Sequence, residues 1–171
     1  MRYWIRRDTL SYELSEDDMS FMGYTEVTKR PDVYSEIYSW SFEEGRWVPD
    51  RAALRSAIAV RRFEVETGGV YVENYRIDTT DRGKLMLMMA ASRAETLPEG
   101  TLVSWKIDND NYTAFTPAQI IDLKNKVCDF IGQCFEYERQ LADRIIRQDF
   151  DVSEITEGWP NGVIKLDVTA A

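Results

Sequence analysis

The sequence contains 171 residues, of which 44% are hydrophobic and 30% are charged, as is usual for a globular protein. Its formal net charge of −9 argues against a nucleic-acid partner, because nucleic-acid binders neutralise phosphates with an excess of Lys and Arg. No apolar run approaches the roughly 20 residues of a membrane-spanning helix, and the N-terminus lacks the apolar segment of a secretory signal. We therefore expect a protein without membrane partners that stays in a cytoplasm or joins an assembly built there.

Residues 1–50 predict a leader of short strands and turns. In the clearest hairpin, Tyr38, Trp40 and Phe42 alternate with serines, and a Glu-Glu-Gly turn precedes Trp47. One face of this hairpin is strongly aromatic. A two-stranded hairpin is marginal by itself, so this face is expected to cover either a core or a partner.

Residues 51–150 predict an α+β domain of three helices and small antiparallel hairpins. The first helix begins after the N-cap Asp50 and stops at a Gly-Gly pair, and the segment VYVENYRI follows as one strand. A second helix begins after a Thr-Thr pair. A hairpin with the polar turn DNDN at 108–111 then precedes the third helix.

The third helix is expected to be long, from about 117 to 148. Thr116 and Gln119 form a capping box around Pro117, and apolar residues recur at spacings of three and four as far as Ile145. Such a helix is ~45 Å long at 1.5 Å per residue, so we expect one end to project or to meet a partner.

The second helix carries Met86, Met88 and Met89, which could line a groove or fill the core. The helix is apolar around most of its circumference, and this pattern favours burial. We therefore expect the methionines to act mainly as core filler beside small alanines.

Residues 151–171 predict a turn and a C-terminal strand. Ile164, Leu166 and Val168 alternate with polar residues, so they share one face. The strand could join a sheet of this chain or of a neighbour.

Candidate residues for catalysis or metal binding are few. The chain has no histidine, which removes the commonest general base and metal ligand. Cys128 and Cys134 are ~9 Å apart along a helix, too far for a disulfide, and predict two buried thiols. The DNDN segment fails as a calcium loop because it lacks the required Gly and Glu.

Two carboxylate pairs are the least arbitrary catalytic candidates. Glu136 and Glu138 are better explained as part of a solvated helix face, and Asp78 and Asp81 are better explained as residues that cap a helix. We therefore expect no catalytic, cofactor-binding or metal site.

The order of motifs resembles DUF4376, a domain of unknown function common in proteins of tailed phages and prophages. The likeness covers roughly residues 55–147, and this chain departs from the usual pattern at Gly83-Lys84. The matching residues are Arg62 with Glu66, Thr80-Asp81-Arg82, Ala90-Ala91, Trp105-Lys106, Phe115, Cys134-Phe135 and Glu138.

The resemblance implies a tail accessory protein that binds the tail fibre or tail tip, as a virion component or as a fibre-assembly chaperone. It would act in the virion tail or in the host cytoplasm during assembly, with self-association possible. We expect apolar surfaces to bind the partner, namely Trp40, Phe42, Trp47, Ile164, Leu166 and Val168. The alternatives are a small regulatory or host-interaction protein and, last, a carboxylate-based enzyme.

Overall fold

The computed structural model describes residues 1–72, 75–106 and 111–166. These ranges contain three α-helices and several small antiparallel sheets, which confirms the α+β prediction and the long last helix. The chain divides into two compact units, Met1–Ala57 and Ile58–Ala171. The predicted division into residues 1–50, 51–150 and 151–171 stays a prediction.

The first unit contains two small antiparallel sheets. Strands β1 (Arg2–Arg6), β2 (Tyr12–Ser15) and β3 (Tyr24–Val27) form a sheet in the order β2-β1-β3. Strands β4 (Tyr38–Ser41) and β5 (Arg46–Pro49) form the predicted hairpin, with Trp40 opposite Trp47.

The aromatic face of this hairpin covers a core within the first unit. Trp47 is buried with Ile5 and Val27, and Trp40 and Phe42 pack against them. The Trp47 indole N–H donates to the carbonyl oxygen of Thr28 at 2.9 Å, so its polar atom is satisfied as well.

The second unit holds most of the helical structure. Helix α1 (Arg51–Thr67) includes residues of both units, and α2 (Asp81–Ala94) and α3 (Pro117–Arg147) follow. The strands are β6 (Val70–Val72), β7 (Tyr75–Ile77), β8 (Val103–Lys106), β9 (Tyr112–Phe115) and β10 (Val163–Ile164). They form a sheet in the order β10-β6-β7 and a separate antiparallel β8-β9 hairpin.

Two strand predictions in this unit need correction. The segment 70–77 is not one strand, because β6 and β7 pair antiparallel with Val70 opposite Ile77. The C-terminal strand is short, and β10 pairs parallel to β6 in a sheet of this chain. The predicted polar turn at 108–111 lies outside the described residues except for Asn111.

Helix α3 forms one wall of the core of the second unit. Its capping box is present, with the Thr116 hydroxyl accepting from the Gln119 backbone N–H and the Gln119 side chain accepting from that of Thr116. Buried residues continue along α3 to Leu141 and Ile145. Neither end of this helix therefore projects, and the alternative, that one end meets a partner, stays a prediction.

Candidate functional site

The N-terminus of α2 is held by a tight turn. The Thr80 backbone N–H and hydroxyl donate to the Asp78 carboxylate at 2.9 and 2.8 Å. The Thr80 hydroxyl oxygen also accepts a hydrogen bond from the Gly83 backbone N–H at 3.3 Å. A Cβ on Gly83 would lie only 2.3 Å from the Asp78 carbonyl oxygen. Glycine thus permits the close approach that sets the start of α2.

One face of α2 is buried and made mainly of small residues. Gly83, Leu87, Ala91 and Ala94 are the buried residues of this helix, at spacings of four, four and three. Leu87, Ala91 and Ala94 belong to the core that α3 shares. This face directs α2 onto α3.

The opposite face of α2 is apolar and exposed. Leu85, Met86, Met88 and Met89 keep 60%, 50%, 51% and 59% of their surface accessible. Residues three and four apart are neighbours on a helix, so the four side chains form one patch, which we call the methionine face. The prediction that these methionines fill the core is therefore wrong.

A groove of about 830 Å³ lies between α2 and the β8-β9 hairpin. Met86 and Met89 line it from α2, the residues of Val103–Lys106 line it from β8, and Tyr112 lines it from β9. The groove therefore continues the methionine face onto the hairpin.

Two positive charges border this groove. Arg82 and Lys106 are exposed, and neither side chain makes an ion pair or hydrogen bond with another described residue. Asp78 is the one acidic residue among the described residues of the lining, and it already accepts two hydrogen bonds from Thr80. Two cations therefore border the groove on a chain whose net charge is −9.

A largely buried ion-pair network connects α1, α2 and α3. Arg62 pairs with Glu66, and its Nε lies 2.7 Å from Oε2 of Glu138. Lys84 Nζ lies 2.7 Å from Glu66 Oε1 and 3.0 Å from Asp81 Oδ1. Burial lowers the Lys84 pKa, but the hydrogen bonds that Lys84 donates to Glu66 and Asp81 outweigh this effect, and the pKa of Lys84 is raised. The network therefore orients the helix that carries the methionine face.

Three of the residues predicted to bind a partner lie in the first unit. Trp47 is buried, and Trp40 and Phe42 are half-buried, with the Trp40 and Trp47 rings 5.4 Å apart. Their packing explains the aromatic alternation without a partner. Their role in partner binding stays a prediction.

The other three predicted residues belong to the C-terminal segment. Ile164 is buried in the core of the second unit, and Leu166 packs against the same core half-buried. Val168 lies outside the described residues. Partner binding through this segment also stays a prediction.

The four carboxylates considered for catalysis each have a nearby partner. Glu136 binds Arg139 and Gln140, which hold the pKa of Glu136 at about 2, and Glu138 pairs with Arg62. Asp78 and Asp81 interact with Thr80 and Lys84, as described above.

The cysteines differ from the prediction of two buried thiols. Both are free, but Cys128 is exposed and only Cys134 is buried. Burial raises the pKa of the Cys134 thiol to about 11. Reactivity is therefore expected at Cys128, since the thiolate is the nucleophile.

Neither a metal centre nor a membrane span emerges from the part of the chain that the structure describes. Within 1–72, 75–106 and 111–166, no three His, Cys, Asp or Glu side chains are grouped to hold a metal ion. Among the helices of those same ranges, none has both the length and the apolar character to cross a bilayer.

Residues 49–157, well over half of the chain, match the family described as a domain of unknown function, DUF4376. The chain belongs to the DUF4376 family. A search of curated proteins and a search of solved structures each found no match.

The signature residues of this DUF4376 member fall mainly in its framework. Arg62 pairs with both Glu66 and Glu138 in the network, and the centre of the Phe135 ring lies 4.3 Å from the Arg62 guanidinium carbon. At the position where this chain departs from the usual pattern, Lys84 contributes a second cation to Glu66.

The methionine face and its bordering cations are what the reasoning from sequence missed. Only one signal in the sequence could have identified the exposed side of α2. Gly83, Ala91 and Ala94 lie on one face and favour close helix packing there, which leaves Met88 and Met89 on the other side.

Proposed function

We propose that this DUF4376 protein is a tail accessory protein of a tailed bacteriophage and binds the tail fibre or tail tip through the methionine face. It would act as a retained virion component or as a fibre-assembly chaperone, in the virion tail or in the host cytoplasm during assembly. The observation that carries the proposal is the exposure of Leu85, Met86, Met88 and Met89 on one side of α2.

Exposed hydrophobic residues that occur singly need no explanation, whereas a contiguous patch marks an interaction surface. Methionine suits such a surface because its flexible, polarisable side chain adapts to irregular partners. The resemblance of the sequence to proteins of tailed phages supports the choice of a tail protein as partner.

The ion-pair network supports a preorganised docking surface. Glu66 is buried between Arg62 and Lys84, so α1 and α2 are coupled by charge-assisted contacts. A surface that is already positioned loses less conformational entropy when it binds.

The proposal is tested by locating the protein and by mutating the methionine face. Mass spectrometry of gradient-purified virions should detect the chain if it is retained. Co-expression with the fibre and tip proteins of the same phage should give a complex in either case. Met89→Glu should abolish that complex, because it places a charge in the patch.

Ile146→Glu is the matched control. Ile146 is 56% exposed on α3, against 59% for Met89, and does not belong to the methionine face. This variant should co-purify with the tail protein as well as the natural chain does. The proposal is wrong if the chain is absent from virions and binds neither fibre nor tip protein, an outcome expected of a regulatory protein.

A further inference from the structure

The groove beside the methionine face exposes a strand edge. Side chains alternate between the two faces of a strand, so a groove that contacts only one face meets every second residue. Here the consecutive residues Val103, Ser104, Trp105 and Lys106 all line the groove. The groove therefore contacts β8 along its edge and not on one face. Within the described residues, β8 pairs with β9 alone, which leaves its other edge free for a further strand.

The groove also combines an apolar wall with cations. Met86 and Met89 face it from α2, each at least half exposed. Arg82 and Lys106 border it with no ion-pair partner among the described residues. A segment that fits both features carries apolar side chains and carboxylates.

We propose that an extended, acidic segment of the protein partner adds to the free edge of β8 as a third strand. Its backbone would hydrogen-bond to β8, its apolar side chains would pack on Met86 and Met89, and its carboxylates would pair with Arg82 and Lys106. Strand addition derives affinity from the main chain and specificity from alternate side chains. The inference rests on the proposed function for the statement that the segment belongs to a tail protein.

The first test uses the full-length protein and fluorescein-labelled peptides of about ten residues, the length of a long strand. The acidic probe alternates Leu and Val with Asp and Glu. A second probe replaces Asp and Glu by Lys, and a third keeps the acidic composition but groups the apolar residues together. We expect fluorescence anisotropy to show saturable binding of the first probe only.

Charge reversal in the groove then tests the cations. The double variant Arg82→Glu with Lys106→Glu should weaken binding of the acidic probe by at least about tenfold and should gain binding of the lysine probe. Glu at position 82 lies in the first turn of α2, where a negative charge is favourable, so the variant should fold. Lys165→Glu, which changes an exposed cation outside this groove, should bind like the natural protein.

Hydrogen exchange locates the bound peptide. Strand addition should protect backbone amides within Val103–Lys106 when the acidic probe is added. The inference is overturned if no probe binds, if acidic and lysine probes bind equally, or if β8 amides gain no protection. Should the probes fail while Met89→Glu still disrupts the tail complex, the inference is wrong and the proposed function stands. Should they bind as expected without any tail complex, the partner class is wrong.

Discussion

Gly83→Ala and Gly132→Ala make the same chemical change in two helices, yet we expect opposite effects on the free energy of unfolding. Gly132 is exposed within α3, and nothing lies within 4 Å of a Cβ added there. Alanine is the better helix former by about 1 kcal/mol, so Gly132→Ala should stabilise the protein by ~0.5–1 kcal/mol.

Gly83 lies in the first turn of α2 against the turn that precedes it. An added Cβ would be 2.3 Å from the carbonyl oxygen of Asp78 and 2.6 Å from its Cγ. These contacts require a backbone shift of roughly 1 Å, and overpacking of this kind costs about 1–3 kcal/mol. After the helix-propensity gain of about 1 kcal/mol is subtracted, Gly83→Ala should destabilise the protein by up to ~2 kcal/mol.

Urea denaturation followed by circular dichroism measures both variants, and thermal unfolding gives a second estimate. For a chain of this size, about 1 kcal/mol corresponds to a shift of ~2–4 °C in Tm. If Gly83→Ala is as stabilising as Gly132→Ala, the close approach of α2 to Asp78 does not exist. A glycine-dependent turn would then not be what positions the methionine face.

Four further predictions concern the network, the cysteines and the cap of α3. Glu66→Gln should lower the free energy of unfolding, measured by urea denaturation, by about 2 kcal/mol, because Arg62 and Lys84 lose their buried carboxylate partner. Glu64→Gln removes the partner of an exposed pair and should cost under ~0.5 kcal/mol. Equal costs would contradict the role of burial. Iodoacetamide at about pH 8 should label Cys128 but not Cys134 in the folded protein, and mass spectrometry should detect one adduct. Two adducts would refute the burial of Cys134. Folding raises the pKa of the Cys134 thiol from 9.0 to about 11. The stabilisation from the neutral, buried thiol should therefore be complete below pH 9 and should fall as the pH rises towards 11. Denaturation midpoints that stay constant over this range would contradict the shift. Thr116→Ala should lower stability by ~1 kcal/mol, and an unchanged denaturation midpoint would show that the capping box contributes nothing.

Local signals in the sequence predicted the helices well. Thr116, Pro117 and Gln119 act within one turn, so the start of α3 can be read from adjacent residues. The start of α1 after Asp50 is similar, because the Asp50 carboxylate accepts a hydrogen bond from the Ala53 backbone N–H.

Strand pairing was harder to predict from the same sequence. The segment 70–77 contains residues that favour strands, but periodicity alone does not separate one strand from two that pair with each other. Likewise, the alternation of Ile164 and Leu166 does not reveal that β10 pairs parallel to β6, because that contact joins distant parts of the chain.

The candidate site shows the same division between local and tertiary information. By itself, the sequence determined that a helix begins after the Thr79-Thr80 pair and ends before Pro98, and that methionines lie along it. Only the tertiary structure decided which side of the helix is exposed, because burial depends on what packs against each face. The small residues Gly83, Ala91 and Ala94 are buried, and the methionines on the other side therefore stay exposed.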